Sequence, residues 1–214
     1  MYPHSVLIAD PDQRSWHELP RALRSWLPEK QFGYCARRDE ALDRVANPPY
    51  SFDVVISSPA LAESENFFLL NGLKCLSVPL VVTAGTSTQA ASRRVLEMGA
   101  FGLIRLPVDG KRAATTLTLA TGLKTIHRRT TVYYDLLTKY RERLGACPRD
   151  AELEDILRTC KVALESTYDR WKVSITHIEQ SLRRLALAAV DLQDEARYQA
   201  YAQLCELELR RGIS

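Results

Sequence analysis

The chain has no C-x-x-C pair, no apolar run approaching the ~18 residues that a membrane span needs, and no G-x-G-x-x-G or Walker sequence after its first strand. These absences set aside a zinc or redox centre, a membrane partner and the familiar nucleotide-phosphate cradles. Five cysteines, Cys35, Cys75, Cys147, Cys160 and Cys205, are odd in number and widely spaced, so they are expected to be reduced thiols packed as small apolar groups. A strand begins within five residues of the start and leaves no room for a signal peptide. A cytoplasmic, soluble protein is the expectation.

Net charge is also scarce. A formal +3 is too small to identify a nucleic-acid binder, but it is unevenly spread. Residues 1–110 carry 11 Lys/Arg against 12 Asp/Glu, and residues 111–214 carry 18 against 14. Between Asp109 and Asp135 there is no acid at all, only Lys111, Arg112, Lys124, Arg128 and Arg129. No aromatic or Gly-rich RNA-binding signature accompanies this run, so a solvated helix face is its simplest reading. What is present is ordinary globular material, 46% hydrophobic and 26% charged over 214 residues. That length suits one α/β domain of about 100–150 residues plus an appendage.

In the first half, short apolar runs alternate with helical periodicity. Val6-Leu7-Ile8-Ala9 is a strand ended by Asp10-Pro11-Asp12, which can cap the following helix. Trp16, Leu19, Leu23 and Leu27 recur at spacings of three and four, with Pro20 inside the pattern, so this helix either starts late or is kinked. Residues 32–36 form a weak second strand, and Ala41, Val45 and Ala46 mark a short second helix. Residues 52–56 form a third strand, and Phe67, Leu70 and Leu73 mark a third helix. Residues 80–82, 90–98 and 103–104 complete the series as strand, helix and strand. The third strand is apolar without alternation, as a sheet covered on both faces requires. Five strands alternating with helices imply a parallel, doubly wound α/β sheet with its crevice at the carboxyl ends of the strands.

The residues at those ends carry a resemblance. Val6-Leu7-Ile8-Ala9-Asp10-Pro11-Asp12, the run from Phe52 to Ser58, Val82-Thr83-Ala84, and Met98-Gly99-Ala100 through Leu106-Pro107 together resemble the receiver domain of bacterial response regulators over residues 4–120. The resemblance implies a flavodoxin-like receiver with strand order 2-1-3-4-5. It also implies an acidic, Mg²⁺-holding cluster after strand one, an aspartate acceptor after strand three, a hydroxyl after strand four and a lysine after strand five. That set is what phosphoryl transfer needs electrostatically: a nucleophilic carboxylate, a divalent ion and a fixed cation.

This sequence keeps Asp10 and Thr83 and departs elsewhere. The second acid falls on Pro11, with Asp12 one residue further on. The acceptor falls on Ser58, the lysine on Leu106, and the switching aromatic of strand five on Leu103. Two anions and one cation have gone together, so a degenerate pseudo-receiver with no cofactor, no metal and no catalytic residue is expected. Ser58 has no adjacent base from these motifs that could activate it as a nucleophile.

The second half, residues 121–214, reads as an all-α extension continuous with the fifth helix of a 1–120 domain. Leu119, Leu123, Ile126, Thr130, Tyr133, Leu137, Tyr140 and Leu144 alternate at four and three, a heptad seam on a helix of ~35 residues, or ~50 Å. Gly145 ends it. Residues 149–211 contain neither Gly nor Pro, and Leu153, Leu157, Cys160, Leu164, Thr167, Trp171, Ser174, Ile178, Ser181, Leu185 and Ala188 continue the alternation. A helical hairpin or coiled coil is expected, with Asp191 capping a shorter terminal helix. His177 lacks the Lys and small-residue neighbours of phosphotransfer modules.

The function these features imply is non-enzymatic signal transduction. The chain reads as an atypical two-component response regulator outside the phosphorelay chemistry, acting through protein–protein contact or as a homodimer, with a histidine kinase or regulatory target among its partners. The alternative is RNA antitermination. Ile178-Glu179-Gln180 followed by Asp194-Glu195-Ala196 is loosely similar to the start of an ANTAR module, although Leu182-Arg183 replaces the Lys-Gly of that motif and its turn glycine is missing. A nucleic-acid partner is therefore left open.

Overall fold

Strands that are apolar at successive positions need cover on both faces, and the chain supplies it with helices on both sides of one sheet. The computed structural model describes residues 5–27, 31–47 and 52–122, together with the helical positions 124, 125, 128, 132, 158, 162, 165, 166, 169, 170, 176, 180 and 203. Its elements run in the order β1 Ser5–Ala9, α1 Ser15–Leu23, β2 Gln31–Cys35, α2 Arg38–Ala46, β3 Val54–Ser57, α3 Pro59–Cys75, β4 Leu80–Ala84, α4 Gln89–Glu97 and β5 Gly102–Arg105. A further helix, α5, covers 110–122. The sheet is parallel throughout, in the order β2-β1-β3-β4-β5. This is the doubly wound, flavodoxin-like arrangement expected from the sequence. The seam positions Leu123, Ile126, Tyr133, Leu137, Tyr140, Leu144, Leu157, Leu164, Trp171, Ile178 and Leu185 lie outside the described residues.

Alternate residues of each strand feed opposite layers. Leu7, Val55, Leu80, Val82 and Leu103 pack with Ala41, Leu69, Leu70, Leu73, Val95 and Leu96 from α2, α3 and α4. Val6, Ile8, Val54, Ile56, Val81 and Ile104 pack with Leu19 and Leu23 of α1 and with Ala113, Ala114, Leu117 and Ala120 of α5. Each fully buried leucine is worth about 1.5–3 kcal/mol relative to exposure.

Several elements differ from the sequence reading. α1 starts at Ser15, five residues before Pro20, and takes the proline into its body. β3 starts at Val54 instead of Phe52, because Asp53 is drawn into contacts with Ser5 and Lys124 at the strand's base. α3 begins at Pro59, well before Phe67, and is broken at Ser64–Phe67. There Glu65, Asn66 and Phe67 have φ of 46°, 56° and 61°, so Phe67 sits in the break and not on a regular helical stripe.

The break in α3 is clasped from both sides. Arg38 of α2 hydrogen-bonds Glu65 and lies 5.8 Å from the centre of the Phe68 ring. Arg94 of α4 grips both carboxylate oxygens of Glu63 at 2.5 and 3.1 Å, hydrogen bonds that hold the Glu63 carboxyl below its ordinary range.

α5 is seated by a cap and a close approach. Asp109 Oδ1 accepts the N–H of Arg112 at 3.1 Å, one of the donors a helix start leaves unpaired. Gly110 sits so near α1 that a Cβ there would fall 2.1 Å from the carbonyl oxygen of Ala22. A Gly110→Ala variant should therefore lose about 1–3 kcal/mol through forced displacement of α5 from α1, read as a lowered midpoint in thermal unfolding; an unchanged midpoint would show that α5 is not seated this tightly.

Candidate functional site

In this topology the crevice lies at the carboxyl edge, and the main chain brings four of the sequence-selected residues to it. Asp10 leaves β1 with its N–H bonded to the carbonyl of Cys35 at 3.0 Å, and Ser58 leaves β3 with its N–H on Ala9 at 3.3 Å. Thr83 lies inside β4 opposite Ile104, one step deeper than the strand end expected for it, and Leu106 leaves β5 with its N–H on Ala84 at 2.8 Å. Since β1, β3, β4 and β5 are neighbours in that order, these four residues share one edge. Pro11 and Asp12 lie in the β1–α1 loop and are exposed.

Asp10 is buried, and both of its carboxylate oxygens are occupied by its own loop. Oδ1 accepts the N–H of Asp12 at 2.9 Å and Oδ2 accepts the hydroxyl of Ser15 at 2.7 Å. Its main-chain oxygen accepts Trp16 Nε1 at 3.0 Å, and the indole packs against Tyr34 with ring centres 5.7 Å apart. Asp12 is likewise used in a turn, its Oδ1 accepting the N–H of Arg14 at 3.0 Å. Sequence reasoning marked Asp10 as a capping group but missed Ser15 and Trp16, whose spacing of five and six residues from Asp10 is not a recognised motif.

Beside Asp10, the Ser58 hydroxyl oxygen is fully buried with no hydrogen-bond partner among the described residues. Thr83 is 4% exposed, and its carbonyl accepts the hydroxyl of Ser92, which ties α4 to the end of β4. Leu106, 39% exposed, stands where a cation would be needed. It borders a shallow cleft of about 230 Å³ lined by Leu103, Leu106, Pro107, Ala113, Arg105 and Arg112.

The donor set does not fit Mg²⁺. That ion demands near-octahedral oxygen ligation with at least one or two free carboxylates. Here one carboxylate is committed to an N–H and a hydroxyl, proline offers no side-chain donor, and the third position is a neutral hydroxyl. Among the described residues no group of three or more His, Cys, Asp and Glu comes together.

The basic run selected from the sequence is partly engaged as well. Arg112 pairs with Asp109 at 3.7 Å and Lys124 with Asp53 at 3.3 Å. Among the described residues, no helix is long and apolar enough to cross a membrane.

Comparison with solved structures agrees on the fold. The signal receiver domain of an HD domain-containing protein from Pseudomonas fluorescens Pf-5 superposes with a TM-score of 0.50 at 19% identity, over 60% of this chain and 94% of that one. An uncharacterized protein from Neptuniibacter caesariensis gives 0.50 at 16%, over 58% and 92%. A response regulator receiver domain protein from Clostridium thermocellum gives 0.48 at 17%, over 56% and 96%. No protein-family model matches the sequence, and no curated protein matches it. The chain is thus similar in fold to the Pseudomonas fluorescens receiver domain over somewhat more than half its length.

Two outcomes are expected at the site. Ser58→Ala should leave stability unchanged or raise it by up to about 1 kcal/mol, because it removes an unpaired buried hydroxyl. Ser58→Asp should lower it by about 2–4 kcal/mol at neutral pH, because no cation or metal receives the new charge. Urea unfolding of the two variants checks both, and a neutral Ser58→Asp would mean that the pocket still compensates a carboxylate.

The Cys35 thiol, 1% exposed, is pushed up from 9.0 to about 12 by burial and then by Glu40, with Arg44 opposing. A raised thiol pKa gives stability that is complete below the unfolded value and lost as pH rises towards the folded one. Stability should fall between about pH 9 and 12 by up to ~1.4 kcal/mol per pH unit from this group. Cys35→Ala should flatten that slope relative to the parent chain in pH-dependent unfolding.

Proposed function

We propose that the chain is a non-enzymatic signalling protein in which a receiver-fold domain, residues 1–120, works without aspartyl phosphorylation and passes its state on by protein contact through the helical extension, residues 121–214. The observation that carries this reading is the state of the crevice: Asp10 spends both oxygens on Asp12 and Ser15, and the acceptor position holds a buried hydroxyl with no partner among the described residues. Among the described residues, a phosphoryl group entering here would meet a hydroxyl at the acceptor position and leucine at the exit of β5 in place of the carboxylate and cation that its transfer needs.

The natural output is the helix that leaves this domain, α5, with a second copy of the chain or a regulatory protein as its partner. A histidine kinase remains a partner by surface contact and not by phosphoryl transfer. No observation favours the RNA reading, since two of the five basic residues behind it are held in ion pairs.

Incubation with acetyl phosphate and Mg²⁺ is expected to give no acid-labile phosphoryl group, and beryllofluoride with Mg²⁺ is expected to leave the unfolding temperature unchanged. Labelling at Asp10, Asp12 or Asp53 would overturn the proposal.

A further inference from the structure

Behind Leu106 lies the cleft of about 230 Å³ between the end of β5 and the start of α5. Its floor is buried side chain, Leu103 and Ala113, and its lip is Leu106 and Pro107, both exposed. A single exposed leucine is ordinary on a protein surface. Two adjacent apolar residues bordering a cavity with an apolar floor and a few charged groups are the arrangement of a small-molecule site.

The charged lining is sparse and unequal. It sets the guanidiniums of Arg105 and Arg112 against the one carboxylate of Asp109, which leaves a positive charge in excess. Asp109 is already engaged twice, its Oδ1 accepting the Arg112 main-chain N–H at 3.1 Å and its Oδ2 lying 3.7 Å from Arg112 Nε. At that distance the side-chain contact is an ion pair and not a hydrogen bond. A guanidinium presents a planar fork of N–H donors that matches a carboxylate, so Arg112, 33% exposed, has the geometry to take a second one alongside Asp109.

Size and wall chemistry select the ligand. Drug-sized molecules fill about 300–1,000 Å³, so this cleft takes something smaller. Phosphate or another compact, strongly hydrated anion would set its charge against Leu103, Leu106 and Pro107, whose side chains offer no donor. A carboxylate on an apolar body puts each part against its match, the body on the leucines and proline and the charge on a guanidinium. Because β5 and α5 line the cleft together, its occupant bridges them.

We propose that the cleft between β5 and α5 is an input site for a small monocarboxylate with an apolar body, whose carboxylate Arg112 holds while Leu106 and Pro107 close over the rest, and that occupancy firms the seat of α5. This rests on the reading of α5 as the output of the domain, and supplies that reading with an input.

The test uses the isotope-labelled full chain in solution NMR, with benzoate as the probe, benzamide as its neutral isostere and inorganic phosphate as an anion without an apolar body. Benzoate is expected to shift amides of residues 103–113 saturably, with a Kd on the order of 1 mM. At ten times its Kd it should slow hydrogen exchange of the 110–122 amides about tenfold. Benzamide should bind about tenfold more weakly, the scale of one charge-assisted hydrogen bond, and phosphate should leave these amides unmoved. Arg112→Gln should weaken benzoate about tenfold and leave benzamide as it was, whereas Leu106→Ser should weaken both.

No saturable shift with benzoate overturns the site. Equal binding of benzoate and benzamide, or parent affinity for benzoate in Arg112→Gln, overturns the role of Arg112, and the benzoate-to-benzamide ratio of the parent chain decides this point if the variant does not fold. Phosphate binding at the same amides overturns the ligand class. Bound benzoate with unchanged exchange in α5 overturns the input role. Labelling by acetyl phosphate is a separate measurement, so a chain that takes neither label nor benzoate loses this inference and keeps the phosphorylation-independent reading, and a chain that takes both does the reverse.

Discussion

The fold depends on one constraint: a parallel sheet whose strands are apolar at successive positions must be covered on both sides. Three helices, α2, α3 and α4, cover one face, and among the described residues α1 and α5 cover the other. α5 is therefore a core element before it is anything else. Ala113, Ala114, Leu117 and Ala120 are small enough to bring it close to the sheet, and Gly102 and Gly110 remove the Cβ atoms that would hold it off. Any change transmitted along α5 has to be compatible with that packing, which favours small rotations at its far end over displacement of the whole helix.

The crevice shows how a buried carboxylate can be held without a cation. A buried carboxylate is tolerable when its oxygens are hydrogen-bonded, and costly otherwise. Asp10 meets that condition locally, through Asp12 and Ser15, without a metal. Once it is satisfied in this way, a lysine at the end of β5 would have no anion to serve, and leucine at 106 creates no imbalance. Ser58 is the residue that fits least well, since its hydroxyl has lost water and gained no partner among the described residues.

The strands and their order were legible because buried parallel strands need runs such as Val6–Ala9 and Val54–Ile56, and such runs have few other uses. Asp10 was legible for the same reason, as the first polar position after its run, whereas Ser58, Thr83 and Leu106 come from the resemblance to receiver domains, and Thr83 lies one step inside β4. The features that escaped were set by tertiary contacts between residues far apart in sequence. The left-handed break at Glu65–Phe67 has no glycine to announce it, and it is clasped by Arg38 and Arg94 from two other helices. β3 loses its first two expected residues to contacts with Ser5 and Lys124, 48 and 71 positions away from Asp53. Pro20 implies a late start or a kink, and the late start does not form: α1 begins before the proline and keeps Leu19 and Leu23 buried on either side. Packing of that stripe outweighed the local penalty.

The two edges of the sheet thus carry opposite kinds of polar chemistry. At the carboxyl edge the polar groups of Asp10 are turned inward on their own loop: its carboxylate onto Asp12 and Ser15, with Trp16 on its carbonyl. At the amino edge they reach across elements, joining β1, β3 and Lys124 through a single carboxylate. An interaction confined to one loop can stabilise that loop but transmits little, whereas one shared by two strands and a departing helix is altered when any of them moves. Under the proposal that the crevice carries no phosphoryl chemistry, the coupling between the sheet and the chain beyond α5 is therefore better sought at Asp53 and Lys124 than at Ser58.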